Sequence, residues 1–314
     1  WSSCTASPSA QKGYPNTTHE HSRAGTMQHQ LCAECLEQDT HPQSYLGKTF
    51  LFPQEEWGID DGMNCDHSLV VTQEMVDACT SAVNYVRQLR DSLGATLLVE
   101  QRLPIGHITG EEGATGTGDV VLLTADTIIV ADFKMGRSRV KAYDVAEQAV
   151  GDNPPRLQMN LQLALYALGA LHEYELLGDF QHAKAIIIQP YLNAISEYGC
   201  TVEELLVLGE WLKARAEACE TNPEFVPTAD NCFYCKAKND CVARTNVVLE
   251  TACEGFEDVT DARPKKIPGH PIGHLYSLID MIRDWCDDVE AQVHADLKVG
   301  KTVRAPNGVP YKLV

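Results

Sequence analysis

The chain has 314 residues, 44% of them hydrophobic and 22% charged, which is the composition of an ordinary globular protein with one large domain or two smaller ones. Its formal charge of −19 argues against a surface that binds nucleic acid throughout, although a local groove can still be positive. No apolar run approaches the roughly 18 residues of a membrane span, and the N-terminal segment lacks the apolar core of a signal peptide.

The predicted elements interleave helices and strands. A helix is predicted from about Ala24 to Glu37, and an amphipathic helix runs from Gln73 to a stop at Gly94. The later elements are, in order, a strand in "TLLVEQRLPI", a hairpin over Gly116–Asp132 with its turn at Ala125–Asp126, a helix over Pro155–Leu177, a buried strand in "HAKAIIIQPYL", a helix in "TVEELLVLGEWLKARAEACE" and a helix over Gly273–Leu297. This order predicts an α/β fold with a central mixed β-sheet flanked by helices, as one core with terminal elaborations.

Three charged residues mark the predicted hairpin. Asp119 opens one strand, Asp132 closes the other, and Lys134 follows two residues later, so all three are expected at one end of the sheet. Two carboxylates and an ammonium group suit a hard divalent cation such as Mg²⁺, which activates water and neutralises phosphate charge. Each residue alone is better explained as a turn residue or a solvated charge, so the hypothesis rests on the three together.

Basic residues cluster immediately after the hairpin. Lys134, Arg137, Arg139 and Lys141 fall within eight positions of an otherwise acidic chain. This cluster is the reason why the net charge lowers the expectation of nucleic-acid binding without removing it.

The twelve cysteines are unevenly distributed. Cys232, Cys235 and Cys241 form C-x2-C-x5-C, which indicates metal or iron–sulfur ligation in a reducing compartment and requires a fourth ligand from elsewhere. Cys32 and Cys35 form a second C-x2-C, which with Cys232 and Cys235 would make a Cys4 zinc site but leave Cys241 unused. The same two residues are also explained as small buried helix cysteines.

The segment "GTGD", followed after twelve residues by "DFK", resembles the signature of the PD-(D/E)XK nuclease superfamily in its RecB-like branch. Members of that branch also carry a helix with Q-x-x-x-Y, here "QLALY", and an N-terminal motif that "AGTMQH" resembles. The resemblance implies a restriction-endonuclease-like core with the following roles: His29, Asp119, Asp132 and the Phe133 carbonyl bind Mg²⁺ or Mn²⁺, Lys134 assists the attacking water, and Gln162 and Tyr166, on one helix face, position a DNA strand. Glu100 is a further acidic neighbour.

The resemblance extends to the cysteines. Iron–sulfur members of the branch take one cysteine from before the core and three from after it, and Cys4 in "WSSCTASP" matches the first-cysteine segment of a CRISPR-associated and phage-type subgroup. The implied ligands of a [4Fe–4S] cluster are Cys4, Cys232, Cys235 and Cys241. Such a cysteine-ligated module would join the N- and C-terminal segments, giving a nuclease core with its cluster over residues 1–250 and a helical extension packed on it over 251–314.

The function implied by the resemblance is a metal-dependent deoxyribonuclease, with exonuclease the favoured form, in the cytoplasm of a bacterium or a phage-infected host. Its partner would be DNA, as a single strand or a duplex end. "VGKT" and "GATGTGD" fail as ATPase and dinucleotide motifs, so a helicase or recombination protein would be a separate chain. The alternative is a non-catalytic nucleic-acid or protein-binding module that keeps the fold and a structural iron–sulfur or zinc site.

Overall fold

The computed structural model describes residues 1–15, 20–51, 68–145, 157–253, 272–304 and 310–312. The chain divides into two compact units, one formed by residues 16–214 and the other by residues 1–15 together with 215–314. We call the first the sheet unit and the second the cysteine unit, because it holds Cys4 and the Cys232–Cys241 loop. The boundary predicted at residue 250 falls inside a helix of the cysteine unit, Val242–Cys253.

The helices and strands have the following bounds. The helices are α1 Ser7–Ala10, α2 Glu20–Gln38, α3 Gln73–Leu93, α4 Gly106–Thr109, α5 Leu161–Tyr174, α6 Val202–Thr221, α7 Ala229–Phe233, α8 Val242–Cys253 and α9 Ile272–Lys298. The strands are β1 Thr49–Leu51, β2 Ser68–Val70, β3 Thr96–Pro104, β4 Thr115–Leu123, β5 Thr127–Phe133, β6 Tyr143–Val145, β7 Leu157–Met159, β8 His182–Gln189 and β9 Ala194–Thr201.

The sheet unit contains a five-stranded mixed sheet in the order β3-β4-β5-β8-β9. Neighbouring strands are antiparallel except β5 and β8, which are parallel. A parallel pair needs a long crossover connection, and the segment that carries α5 supplies it. The predicted α/β fold with a central mixed sheet flanked by helices is therefore confirmed.

The structure differs from the prediction at one strand and at one helix. β9 was not predicted, because its side chains alternate between half-buried and exposed and form no apolar run. The helix predicted from Pro155 begins at Leu161, because Asn160 caps it by accepting hydrogen bonds from the Gln162 and Leu163 amides. Residues just before this cap pair as β7 with β6.

Apolar side chains cover both faces of the sheet. On β4, Val120 and Leu122 pack with α2 and α3, whereas Val121 and Leu123 pack with α5 and α6. β5 and β8 alternate in the same way between the two apolar clusters. Burial on both faces explains the nearly continuous apolar runs of these strands, and it also buries Asp119 and Asp132.

Helix α5 approaches the sheet through a glycine. A Cβ added at Gly169 would lie 2.9 Å from the Leu103 Cβ and 3.1 Å from the Pro104 carbonyl oxygen, whereas one added at Gly25 in α2 would meet nothing within 4 Å. We predict that Gly169→Ala lowers the free energy of unfolding by about 1 to 3 kcal/mol through overpacking. Gly25→Ala should raise it by about 0.5 to 1 kcal/mol. Denaturant unfolding of both variants checks this, and equal effects would contradict the close packing of α5.

Candidate functional site

Three carboxylates lie in one row across β3, β4 and β5. The register of β3 with β4 places Glu100 opposite Asp119, and the register of β4 with β5 continues one step past its last pair to Asp119 and Asp132. β4 starts at Thr115, so Asp119 lies in the middle of its strand and not at its opening as predicted. Like charges on neighbouring strands repel each other, so this row requires a compensating positive charge.

The backbone is unusual at Glu100. Its φ angle is +49°, a left-handed conformation that is rare for a non-glycine residue in a strand. Regular pairing of β3 with β4 is interrupted at Glu100 and Asp119 and resumes on both sides. Strain of this kind costs on the order of 1 to 3 kcal/mol and clusters at functional sites.

His29, on α2, reaches the middle carboxylate of the row. Its Nδ1 atom lies 3.1 Å from Asp119 Oδ1, and the Phe133 backbone N–H donates to Asp119 Oδ2 at 2.7 Å. The Phe133 ring also lies edge-on to the imidazole, with ring centroids 6.0 Å apart. Asp119 is therefore held at both oxygens, and the amide of Phe133 fixes one of them.

His29, Glu100 and Asp119 each offer one ligand atom, and these atoms all lie within 4.8 Å of one another. Nitrogen and oxygen atoms bound to one ion at about 2.1 Å lie roughly 3 to 4 Å apart, so the group is close to the size that Mg²⁺ or Mn²⁺ requires. Two of the predicted metal ligands, His29 and Asp119, are in this group. Glu100 completes it, and Asp132 is the next carboxylate along the row.

Asp132 is surrounded by the other predicted residues. Lys134 Nζ lies 2.8 Å from Asp132 Oδ2 and donates to Gln162 Oε1 at 3.3 Å. Gln162 Nε2 lies 3.4 Å from Asp132 Oδ1 and donates to the Tyr166 hydroxyl at 2.9 Å. The predicted lysine, glutamine and tyrosine thus form one connected chain that starts at the carboxylate row.

Gly116 makes room for the end of this chain. A Cβ on Gly116 would lie 2.6 Å from a ring carbon of Tyr166, closer than real Cβ contacts come. The glycine of the "GTGD" motif therefore allows the Tyr166 ring to lie directly on β4, which places its hydroxyl beside Gln162.

The pKa values of the titratable groups respond to burial, which is deepest for Asp132, and to neighbouring charge. Burial, followed by the charge of Asp119, raises the pKa of Asp132 in spite of Lys134, and the same two causes raise the pKa of Glu100. Burial alone would lower the pKa of His29, but the hydrogen bond and charge of Asp119 outweigh it and the pKa is raised. The pKa of each of the three groups is therefore raised: that of Asp132 and Glu100 mainly by burial, and that of His29 by the neighbouring carboxylates.

Comparison with known proteins assigns the chain to a family. The model of the family DUF2800, described as a protein of unknown function, matches residues 1–314. The chain belongs to the DUF2800 family. A solved structure titled "Crystal structure of SSO0001" is 15% identical over 55% of this DUF2800 chain and 76% of that chain, with a TM-score of 0.25, which is too low to carry an argument. Within the described ranges, every helix is too short or too polar to span a lipid bilayer.

The cysteine unit of this DUF2800 protein holds three neighbouring thiols. Successive turns of the backbone run from Cys232 through Cys235 to Cys241. Burial raises the pKa of Cys232, Arg244 opposes the rise, and the charges of Cys241 and Cys235 add to it. The Cys235 and Cys241 thiols therefore both lie close enough to Cys232 to act on it.

Cys4 lies in an N-terminal segment that packs alongside this loop. The Val226 backbone N–H donates to Cys4 Sγ at 3.5 Å, six positions before Cys232. Further contacts join the two segments: Thr5 Oγ1 accepts from the Glu224 amide, Gln11 Oε1 accepts from the Lys236 amide, and the Tyr14 hydroxyl donates to Asp240. The N-terminal segment is thus fixed along the cysteine loop.

A buried ionic cluster ties this loop to α9. The Arg244 side chain is fully buried and pairs with Asp284 and Asp288 at 2.8 Å each. Lys238, from the loop itself, lies 2.9 Å from Asp284. Removing one member of such a cluster leaves an uncompensated buried charge, so α9 is a required part of the cysteine unit.

Cys32 and Cys35, the members of the alternative zinc site, pack in the apolar core of the sheet unit and are fully buried. A hydrogen bond with Cys79, together with burial, raises the pKa of Cys32 well above its usual value. Metals bind thiolates, so a thiol held neutral is a poor ligand. In the part of the chain that the structure describes, His29, Glu100 and Asp119 are the one group of three ligand atoms at single-ion spacing, and no disulfide joins the cysteines.

We predict that Glu100→Gln stabilises the metal-free protein at neutral pH. A carboxyl group whose pKa is raised by folding contributes stability below its unfolded-state pKa, and that contribution is lost as the pH rises through the folded-state pKa. The side chain of the variant has no carboxyl group to ionise and so does not lose this stability. Its Tm in EDTA should therefore exceed that of the parent. Because the variant lacks one ligand, Mn²⁺ should raise the Tm of the parent more than that of the variant.

The matched control is Glu112→Gln, at an exposed loop position outside the row. Its Tm in EDTA and its response to Mn²⁺ should equal those of the parent. Thermal unfolding followed by circular dichroism measures both quantities. If Glu100→Gln behaves like this control, Glu100 is not part of a metal site.

Proposed function

We propose that this protein is a metal-dependent DNA nuclease of the PD-(D/E)XK type, working as an exonuclease on phosphodiester bonds. The observation that carries the proposal is the row of Glu100, Asp119 and Asp132, with His29 on one side and Lys134 on the other. The resemblance of "GTGD", "DFK" and "QLALY" to that superfamily supports it, because these motifs meet at this one row.

His29, Glu100 and Asp119 are the residues that would hold Mg²⁺ or Mn²⁺, since they combine an imidazole and two carboxylates at close spacing. The ion would supply charge that stabilises the phosphate oxygens and lowers the pKa of a bound water. Asp132, adjacent in the row, holds the ammonium of Lys134 beside this position.

Lys134 is placed to serve the reaction. Its ammonium is fixed between the Asp132 carboxylate and the Gln162 amide, and its side chain is 29% exposed, so a substrate can reach it. An ammonium at this point donates hydrogen bonds to the attacking water or to a phosphate oxygen on which negative charge develops. The water oxygen then bonds to phosphorus as one ester P–O bond breaks, leaving a phosphate monoester and a hydroxyl end.

Gln162 and Tyr166 position the strand in this scheme. They lie four residues apart on α5, share a hydrogen bond, and connect to Asp132 and Lys134. Their amide and hydroxyl groups can hydrogen-bond a phosphodiester without reading base sequence. A helicase or recombination protein would act as a separate partner, and the reaction would take place in the cytoplasm.

We also infer that Cys4, Cys232, Cys235 and Cys241 hold a structural [4Fe–4S] cluster. The donor chemistry fits, because the Cys235 and Cys241 thiols both lie near Cys232, the Cys4 thiol accepts a backbone N–H, and none of the four forms a disulfide. The contacts between the N-terminal segment and the loop hold both sides of this ligand set. The alternative occupant is a single structural zinc ion, which would require the four thiols to come closer together, because among the described residues only His29, Glu100 and Asp119 have single-ion spacing.

The nuclease proposal predicts loss of cleavage in Asp132→Asn and Lys134→Met. Both changes preserve side-chain shape while removing the charge that holds or stabilises the reacting groups, so rates on linear DNA with Mg²⁺ or Mn²⁺ should fall by about 100-fold or more. DNA labelled separately at each end and resolved on denaturing gels measures the rate and the polarity.

Matched controls are Asp77→Asn and Lys48→Met, at exposed positions of α3 and of the segment before β1. These variants should cleave DNA at the parental rate. Cleavage by Asp132→Asn or Lys134→Met as fast as by the controls would refute the assignment. DNA binding without cleavage by the parent would favour the non-catalytic binding module instead.

The cluster proposal predicts a brown protein after anaerobic purification, with about four iron atoms per chain and an absorption band that dithionite bleaches. Cys4→Ser and Cys235→Ser should lose the iron, because each removes one ligand. Cys219→Ser, a cysteine outside the ligand set but in the same unit, should keep it. A colourless parent that contains one zinc would refute the cluster and leave the nuclease proposal standing.

A further inference from the structure

We propose that residues 134–141, which we call the basic loop, bind the phosphate backbone of the DNA strand that enters the site. This inference rests on the proposed nuclease function and adds the surface that guides the substrate. It concerns binding, and it is therefore testable apart from cleavage.

The charge of the basic loop is exceptional for this chain. The whole sequence has 25 lysines and arginines against 44 aspartates and glutamates. The stretch from Phe133 to Tyr143 contains two lysines and two arginines and no carboxylate. A polyanion repelled by the rest of the surface would be attracted here, because exposed charges act mainly within about 10 Å.

The basic loop is held in one conformation by a buried glutamine. Gln189, at the end of β8, is 2% exposed. Its Nε2 donates to the Ser138 carbonyl at 2.8 Å, and its Oε1 accepts from the Val140 amide at 2.9 Å. Both functional groups of a buried side chain are thus used to fix a surface loop, which reduces the entropy lost when a ligand binds.

The cations of the basic loop face solvent. Arg137 is oriented by Glu74 and by the Tyr191 ring, whose centroid lies 5.2 Å from the guanidinium carbon. Lys141 lies 5.2 Å from the centroid of the Tyr143 ring. Among the described residues, neither Arg139 nor Lys141 pairs with a carboxylate, so both charges are available to an external anion.

Both ends of the basic loop lie at the proposed site. It begins at Lys134, whose ammonium contacts Asp132, and its backbone N–H donates to the Ile188 carbonyl. It ends beside Ala142, whose carbonyl accepts from the Asn160 amide, and Asn160 caps the helix that carries Gln162. A strand bound along the loop would therefore lead to the carboxylate row.

The ligand chemistry is that of a phosphodiester backbone. Arginine and lysine side chains spaced along an extended loop contact successive phosphates and carry no information about base sequence. Binding should therefore be independent of sequence and strongly dependent on salt.

The test is the double variant Arg139→Gln/Lys141→Gln, measured by fluorescence anisotropy with a labelled single-stranded DNA in EDTA, so that no cleavage occurs. Each lost phosphate contact lowers the slope of log Kd against log salt by about 0.7 for single strands, so the slope should fall by about 1.4 and the affinity should drop. Two oligonucleotides of different sequence should give the same change.

The control is Lys48→Gln/Lys213→Gln, which removes the same charge from two exposed positions of the sheet unit. It should retain the parental slope and affinity. A slope in the basic-loop variant equal to that of the control, or no DNA binding by the parent, would overturn the inference. Asp132→Asn distinguishes the two proposals, because it should lose cleavage yet keep the parental salt slope. A parent that binds DNA through the loop without cutting it would refute only the nuclease.

Discussion

The repulsion among Glu100, Asp119 and Asp132 is the constraint on which the site depends. Three charged carboxylates in one row across three strands repel one another, and a positive charge beside them or the uptake of a proton relieves this repulsion. The protein supplies His29 on one side and Lys134 on the other, and burial together with the charge of Asp119 still raises the pKa of Glu100 and Asp132. Because His29 and Lys134 compensate only part of the negative charge of the row, the row is suited to a divalent cation.

The rest of the sheet unit makes this arrangement rigid. Apolar layers on both faces of the sheet fix the strands, so the carboxylates cannot separate to relieve their repulsion. The strained backbone at Glu100 is a further sign that packing holds the row against its local preference. The backbone at Glu100 thus lowers the stability of the fold, while the carboxylates of the row are held in fixed positions before any ligand binds.

The sequence predicts much of this site for identifiable physical reasons. A hairpin register brings Asp119 and Asp132 together, alternation puts Lys134 on the side of Asp132, and helical spacing joins Gln162 to Tyr166. The sequence indicates Glu100 only as a further acidic neighbour and does not predict that it lies in the row. Its position depends on the pairing of β3 with β4 and on a backbone angle for which the local sequence has no glycine or asparagine signal.

Other features escape prediction because they depend on contacts between distant segments. β9 is an edge strand without an apolar run, so only its pairing with β8 defines it. The approach of Cys4 to Val226 joins parts of the chain more than two hundred residues apart. The burial of Cys32 and Cys35 follows from helix packing and not from their spacing.

We propose that His29, Glu100 and Asp119 form one divalent-metal site. Anomalous diffraction from crystals soaked in Mn²⁺ tests it directly. We predict a single strong peak within bonding distance of His29, Glu100 and Asp119, and no peak there in crystals of Asp119→Asn. Well-ordered side chains in the row with no peak between them, or a peak that persists in Asp119→Asn, would contradict it.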